Sequence, residues 1–149
     1  MNSKWDIRFL SIAATIASWS KDPSTQVGAV IVNPKSRNIL SVGYNGFPTG
    51  MKDNTRLYDR DLKNDLMVHA EMNAIYNATA NGVQIKDAWI YVNGLPVCSQ
   101  CALGIIQTGI NKVIMPKQNI PDRWMPSWKK SSAYFEEAGI ESEFINYDR

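Results

Sequence analysis

The chain has 149 residues, 44% of them hydrophobic, and a formal net charge of +2. The length sets one domain over residues 1–149, the apolar content is enough for a buried core, and the small charge argues against a nucleic-acid polymer as partner. No apolar run approaches the roughly 18 residues of a membrane span, and Met1 to Asp6 lacks the basic-then-apolar pattern of a secretory leader, so the expected location is the cytoplasm (the host cytoplasm if a phage encodes the protein).

Trp5, Phe9, Ile12, Ile16 and Trp19 recur at three- and four-residue steps, which predicts an amphipathic helix over Trp5–Trp19. Lys21-Asp22-Pro23-Ser24 ends it. Val27 to Val32 is a short, mostly β-branched run and predicts a buried strand. Asn33 to Ser36 is a turn, and Ile39 to Tyr44 is a second strand, so the two make a hairpin. Gly43 to Gly50 is a glycine-rich loop, where three glycines and a proline demand special backbone angles. The polar stretch Lys52 to Asp65 reads as irregular or partly helical.

A helix follows over Val68–Ala80, then a strand over Ala88–Val92 and a turn at Asn93 to Pro96. The next helix covers Cys98–Thr108 and the next strand Lys112–Met115. Pro116 to Pro126 is a connection. Trp128 to Ala138 is a helix stopped by Gly139, and Ile140 to Ile145 is the last strand. Helix, hairpin, then alternating helix and strand predicts a three-layer α/β/α sandwich on a mixed five-stranded sheet.

The composition includes one histidine and two cysteines. The histidine opens His69-Ala70-Glu71, and the cysteines form Cys98-Ser99-Gln100-Cys101 behind Pro96. An imidazole and two thiolates are three zinc ligands that leave one position open, as a catalytic zinc requires. No His or Cys remains to close a structural site. The competing readings are a structural zinc closed by a carboxylate and a Cys-x-x-Cys redox pair. Cys98 and Cys101 would lie on one face of a helix start, where exposed N–H groups favour thiolates. His69 and Glu71, two apart in a helical first turn, would diverge by about 200°, so one can reach a metal while the other faces a substrate. Glu71 is then the proton shuttle that lets an amine leave as ammonia.

His-x-Glu followed by a Pro-preceded Cys-x-x-Cys resembles the zinc-dependent cytidine and deoxycytidylate deaminases. The resemblance runs through nearly the whole chain. Ser20 to Val32 is similar to the family's entry into its first strand. Gly43-Tyr44-Asn45-Gly46-Phe47-Pro48-Thr49-Gly50 resembles the Gly-Tyr-Asn-Gly-x-Pro-x-Gly loop of the deoxycytidylate branch. His69 to Ile75, Cys98 to Ala102 and Ile105 to Ile110 fit its two zinc helices.

That resemblance implies a cytidine deaminase-like fold and hydrolysis of dCMP to dUMP and ammonia, which feeds thymidylate synthesis. It implies one zinc per chain on His69, Cys98 and Cys101, with Glu71 catalytic. It implies substrate contacts at Asn45, Ala70 and a backbone carbonyl of Leu95, Pro96 or Val97. The carbonyl is ambiguous because Val97 separates Pro96 from Cys98, whereas the family has Pro directly before the first Cys. Asn45 has a plainer alternative, a turn residue in left-handed geometry. Relatives are often oligomers activated by dCTP and inhibited by dTTP, which implies a homo-oligomer, hexamer or dimer. Gly46, Phe47, Pro48 and Gly50 are then candidate effector contacts, and Lys21, Arg123 and Tyr134 candidate phosphate contacts. Trp124 and Trp128 could stack on a nucleotide, but packing or a subunit contact is the favoured reading. Activity on dCTP stays open. So do two alternatives: a deaminase of tRNA adenosine or of another cytosine nucleoside, and a non-catalytic, zinc-stabilised nucleotide-binding protein.

Overall fold

The computed structural model describes residues 3–147. The ends of the 1–149 domain, and the first two residues of the leader reading, lie outside the described residues. Five strands form one sheet: β1 (Gly28–Val32), β2 (Ile39–Tyr44), β3 (Trp89–Asn93), β4 (Lys112–Pro116) and β5 (Glu141–Ile145), in the order β2-β1-β3-β4-β5. β1 runs antiparallel to both its neighbours, and β3, β4 and β5 run parallel. β2 therefore points the same way as β3, with β1 reversed between them.

The sheet lies between two helical layers. On one face, α1 (Lys4–Ala17) buries Phe9, Leu10 and Ala13 against Val30, Val32, Tyr91 and Ile114. On the other, α3 (Ala70–Ala80), α4 (Ser99–Gln107) and α5 (Met125–Ala138) cover Ala29, Ile31, Ile90, Val92 and Val113. β1 is buried along its whole length because helices press on both faces, so its sequence is apolar throughout rather than alternating. Two glycines permit the close approach. A Cβ on Gly28 would strike the backbone of α1 at Ala13, and one on Gly43 would strike that of α3 at Ala74.

The architecture is the expected α/β/α sandwich; the bounds of α1 and α5 change, while Lys52 to Asp65 is partly helical as expected. α1 stops at Ala17, capped by Ser18, so Trp19 is exposed and stands edge-on to Tyr44 instead of extending the apolar face. Lys52 to Asp65 holds a 3-10 turn (Thr55–Tyr58) and the start of a short helix, α2 (Arg60–Leu66). α5 begins at Met125 rather than Trp128, because Pro126 falls in its first turn, where a missing N–H costs no helical bond. Among the described residues no helix is long and apolar enough to cross a membrane.

Candidate active site

α3 follows β2 and α4 follows β3, so both helices start at the same edge of the sheet, on either side of β1's entry. His69 and Cys98 are the N-cap residues of those helices, both in extended conformation. His69 is thus outside the helical turn, a correction to the predicted 200° divergence: its imidazole swings free of the direction that α3 imposes on Glu71. Cys101 lies one turn into α4, and its N–H donates to Cys98 Sγ at 3.4 Å.

The ligand atoms of His69, Cys98 and Cys101 all lie within 4.8 Å of one another. Each Sγ is 3.4 Å from His69 Nδ1. Tetrahedral zinc with ordinary N and S bonds would hold such atoms about 3.6 Å apart, so the donor set and its spacing fit that ion. The electrostatics agree. A hydrogen bond from Cys101 draws the Cys98 thiol down to about 4, helped by His69 and opposed by burial. Cys101 is pushed up by that same pairing and by burial, and His69 is raised chiefly by its hydrogen bond to Cys98. The cluster attracts positive charge, which a divalent cation would satisfy while displacing the protons.

Glu71 lies beside this cluster and is 3% exposed. Burial pushes its carboxyl up to about 7, against the pull of His69. A group poised near neutrality both takes and gives a proton readily.

Glu71 and His69 line a cavity of about 640 Å³, a volume typical of small-molecule sites. Asn45, Ala70, Leu95, Pro96 and Arg123 line it too. Val97 is fully buried and is not part of the lining. Gly46, Phe47, Pro48, Gly50, Lys21 and Tyr134 also lie outside the lining. Lys21 instead pairs with Asp53 at 3.0 Å, Gly46 bridges to Val68, and Arg56 lies over Phe47. Trp128 packs edge-on against Phe144 in the core, whereas Trp124 lines the cavity.

Asn45 is tightly bound. Its Oδ1 accepts from Val27 N–H at 2.9 Å, and its Nδ2 donates to Thr25 O at 2.9 Å and Asp22 Oδ2 at 3.4 Å. Arg37 and Asp87 are the non-glycine residues with positive φ among those described, so Asn45 is not left-handed. Both its amide protons are committed, and Oδ1 keeps one lone pair.

The sequence reading missed the far wall. Tyr58, Arg60, Lys63 and Asn64, from the polar segment, line the cavity together with Leu95 and Trp124. Lys63 is buried, with Nζ 3.0 Å from Asp22 Oδ1 and 2.6 Å from Ser24 Oγ. Arg60 and Arg123 are exposed, and neither has an ion-pair partner among the described residues. The one sequence signal was a set of four cations, Lys52, Arg56, Arg60 and Lys63, in the segment before His69, balanced by four aspartates and with no helical period to aim them.

Comparisons with known proteins agree with this geometry. The model of the cytidine and deoxycytidylate deaminase zinc-binding region matches residues 3–117. An uncharacterized deaminase from the luxG 3′ region of Aliivibrio fischeri is 43% identical, over 99% of this chain and 98% of that protein. The deoxycytidylate deaminase of Pongo abelii is 38% identical, over 92% of this chain and 77% of that protein. The crystal structure of dCMP deaminase from cyanophage S-TIM5, in complex with dCMP and dUMP, superposes with a TM-score of 0.81. It is 23% identical and covers 97% of this chain and 99% of that one, a likeness of fold. The match across both helix starts that carry the histidine and the cysteines decides the matter: the chain belongs to the cytidine and deoxycytidylate deaminase family.

Proposed function

We propose that residues 1–149 form one deaminase domain that hydrolyses dCMP to dUMP and ammonia with one zinc per chain. The observation that carries this is a buried carboxyl, Glu71, at the wall of a nucleotide-sized cavity and beside a His–Cys–Cys donor set. His69, Cys98 and Cys101 would hold zinc, which supplies a water acidic enough to attack at neutral pH. Glu71 takes one proton from the attacking water and delivers it to the ring nitrogen, then takes a second from the hydroxyl now on the ring carbon and gives it to the departing amine. Without that transfer the amine would have to leave as an amide anion.

The remaining lone pair of Asn45 suits a sugar hydroxyl, with Val27, Thr25 and Asp22 fixing the side chain. Ala70, at the helix start between His69 and Glu71, borders the base. Arg60 and Arg123 suit the 5′-phosphate, because each brings to the cavity lining an exposed charge with no ion-pair partner among the described residues, Arg123 lying over the Trp124 ring. The relatives named as deoxycytidylate deaminases, and the phage enzyme with dCMP and dUMP, support this substrate. Ammonia release from dCMP, compared with dCTP, deoxycytidine, cytidine and a tRNA anticodon loop, tests it. The same assay with added dCTP and dTTP tests effector control. A homo-oligomer, read by light scattering, accords with exposed Tyr76 on α3 and Leu103 on α4.

A further inference from the structure

The turn from β3 into α4 runs through Gly94 to Cys98, and its backbone acceptors can be followed one by one. The carbonyl of Gly94 accepts from Gln118 Nε2 at 2.8 Å. That of Pro96 accepts from Trp124 Nε1 at 2.8 Å, and that of Val97 from Ser131 Oγ at 2.7 Å. Cys98 O takes the first helical bond, from Ala102 N–H at 3.0 Å. Ser99 N–H donates to Ser127 Oγ at 2.9 Å. From Gly94 to Cys98, Leu95 alone offers a carbonyl that accepts no hydrogen bond among the described residues. Leu95 is also a lining residue of the cavity that Glu71 and Asn45 share.

Three of these partners come from one helix. Trp124, Ser127 and Ser131 are spaced by three and four, so they share a face at the N-terminal half of α5. Ser131 is fully buried and donates to the turn, and Trp124 places its indole between the turn and the cavity. The stripe therefore holds positions 96, 97 and 99 of the turn while leaving position 95 uncommitted.

We propose that Trp124, Ser127 and Ser131 are positioning residues that fix this turn so that the Leu95 carbonyl reads the exocyclic amine of the substrate base. The inference rests on the proposed deamination. A carbonyl oxygen accepts from an amine but repels the oxygen that replaces it, so it favours the base before reaction over the base after it. Val97, between Pro96 and Cys98, has its carbonyl taken up by Ser131.

The test is nucleotide binding in the Glu71→Gln background, where dCMP is not consumed. Dissociation constants for dCMP and dUMP are measured with and without Trp124→Phe, which keeps an aromatic ring but removes the indole N–H. The expected result is about a tenfold loss of dCMP affinity, the scale of one hydrogen bond, with dUMP affinity little changed, so that the dCMP preference collapses. Equal weakening of both nucleotides, or an unmoved preference, overturns the proposal. If Trp124→Phe fails to fold, Ser127→Ala, a smaller change at a half-buried site, carries the same comparison. Ammonia release by the protein with Glu71 intact is measured alongside. No release from dCMP overturns the deaminase reading and this inference with it, whereas release with an unmoved preference overturns only the role of the stripe.

Discussion

Glu71 is a carboxyl that solvent hardly reaches, held beside three side chains that could hold a metal and lining a cavity. Glu71→Gln keeps the shape and the hydrogen-bonding length but cannot carry the proton. Ammonia release should fall by about 10²–10⁴-fold, the usual contribution of a positioned acid–base group, while zinc content measured by metal analysis stays near one per chain. Cys98→Ser and Cys101→Ser should each lose that zinc, because a hydroxyl is a far poorer ligand than a thiolate. Retention of a full complement of metal by either variant would remove it from the ligand set. Arg60→Ala and Arg123→Ala should raise KM for dCMP several-fold and leave deoxycytidine, which has no phosphate, unaffected; steady-state kinetics on both substrates separates the outcomes.

Helix α2 forms the far wall of the cavity, and one buried ion pair ties it down. Lys63 reaches across to Asp22, 41 positions away, with side chains 10% and 5% exposed. Burial alone would push the Asp22 carboxyl up, but donation from Ser24, Lys63 and Thr25 outweighs it and holds the group below its ordinary 3.8. A depressed carboxyl stabilises the fold at any pH above its ordinary value and loses that contribution as acid protonates it in the folded state. Lys63→Met should therefore cost about 3–5 kcal/mol at pH 7, because Asp22 is left charged and buried. The deficit should shrink as the pH falls toward and below 3.8, and urea midpoints across that range would read it. A deficit independent of pH would show that lost packing, not the charge, is responsible.

This wall was the part of the molecule least legible in the sequence. The first strand announced itself as a β-branched run, and the candidate metal donors could be counted, since His69, Cys98 and Cys101 exhaust their residue types. α2 has no such pattern: its seven residues bury one side chain, Lys63, and only the distant partner Asp22 explains that burial. α5 was begun too late because Pro116 to Pro126 read as a connection, which left the bond from Trp124 to Pro96 unseen. Asn45 showed its polar character but not its direction, because its partners at Val27, Thr25 and Asp22 meet it only through the fold.

Across the sandwich as a whole, the donor set joins two helices that otherwise belong to different strands. His69 caps α3 and Cys98 caps α4, on either side of the reversed strand β1. A metal bridging them binds the folded state alone, so it stabilises by mass action. Chelation of the purified protein should lower its unfolding temperature in calorimetry, and zinc should restore it; an unchanged transition would mean that the two helix starts are held without the metal. A buried carboxyl, three donors of metal-binding type, Asn45 and two exposed cations meet around one cavity, which is what the proposed deamination requires. The most direct measurement is ammonia and dUMP formed from dCMP by the zinc-loaded protein. Equal amounts of both products, cut about a hundredfold or more by Glu71→Gln, are predicted; no ammonia from dCMP or from any other cytosine nucleotide would contradict the assignment.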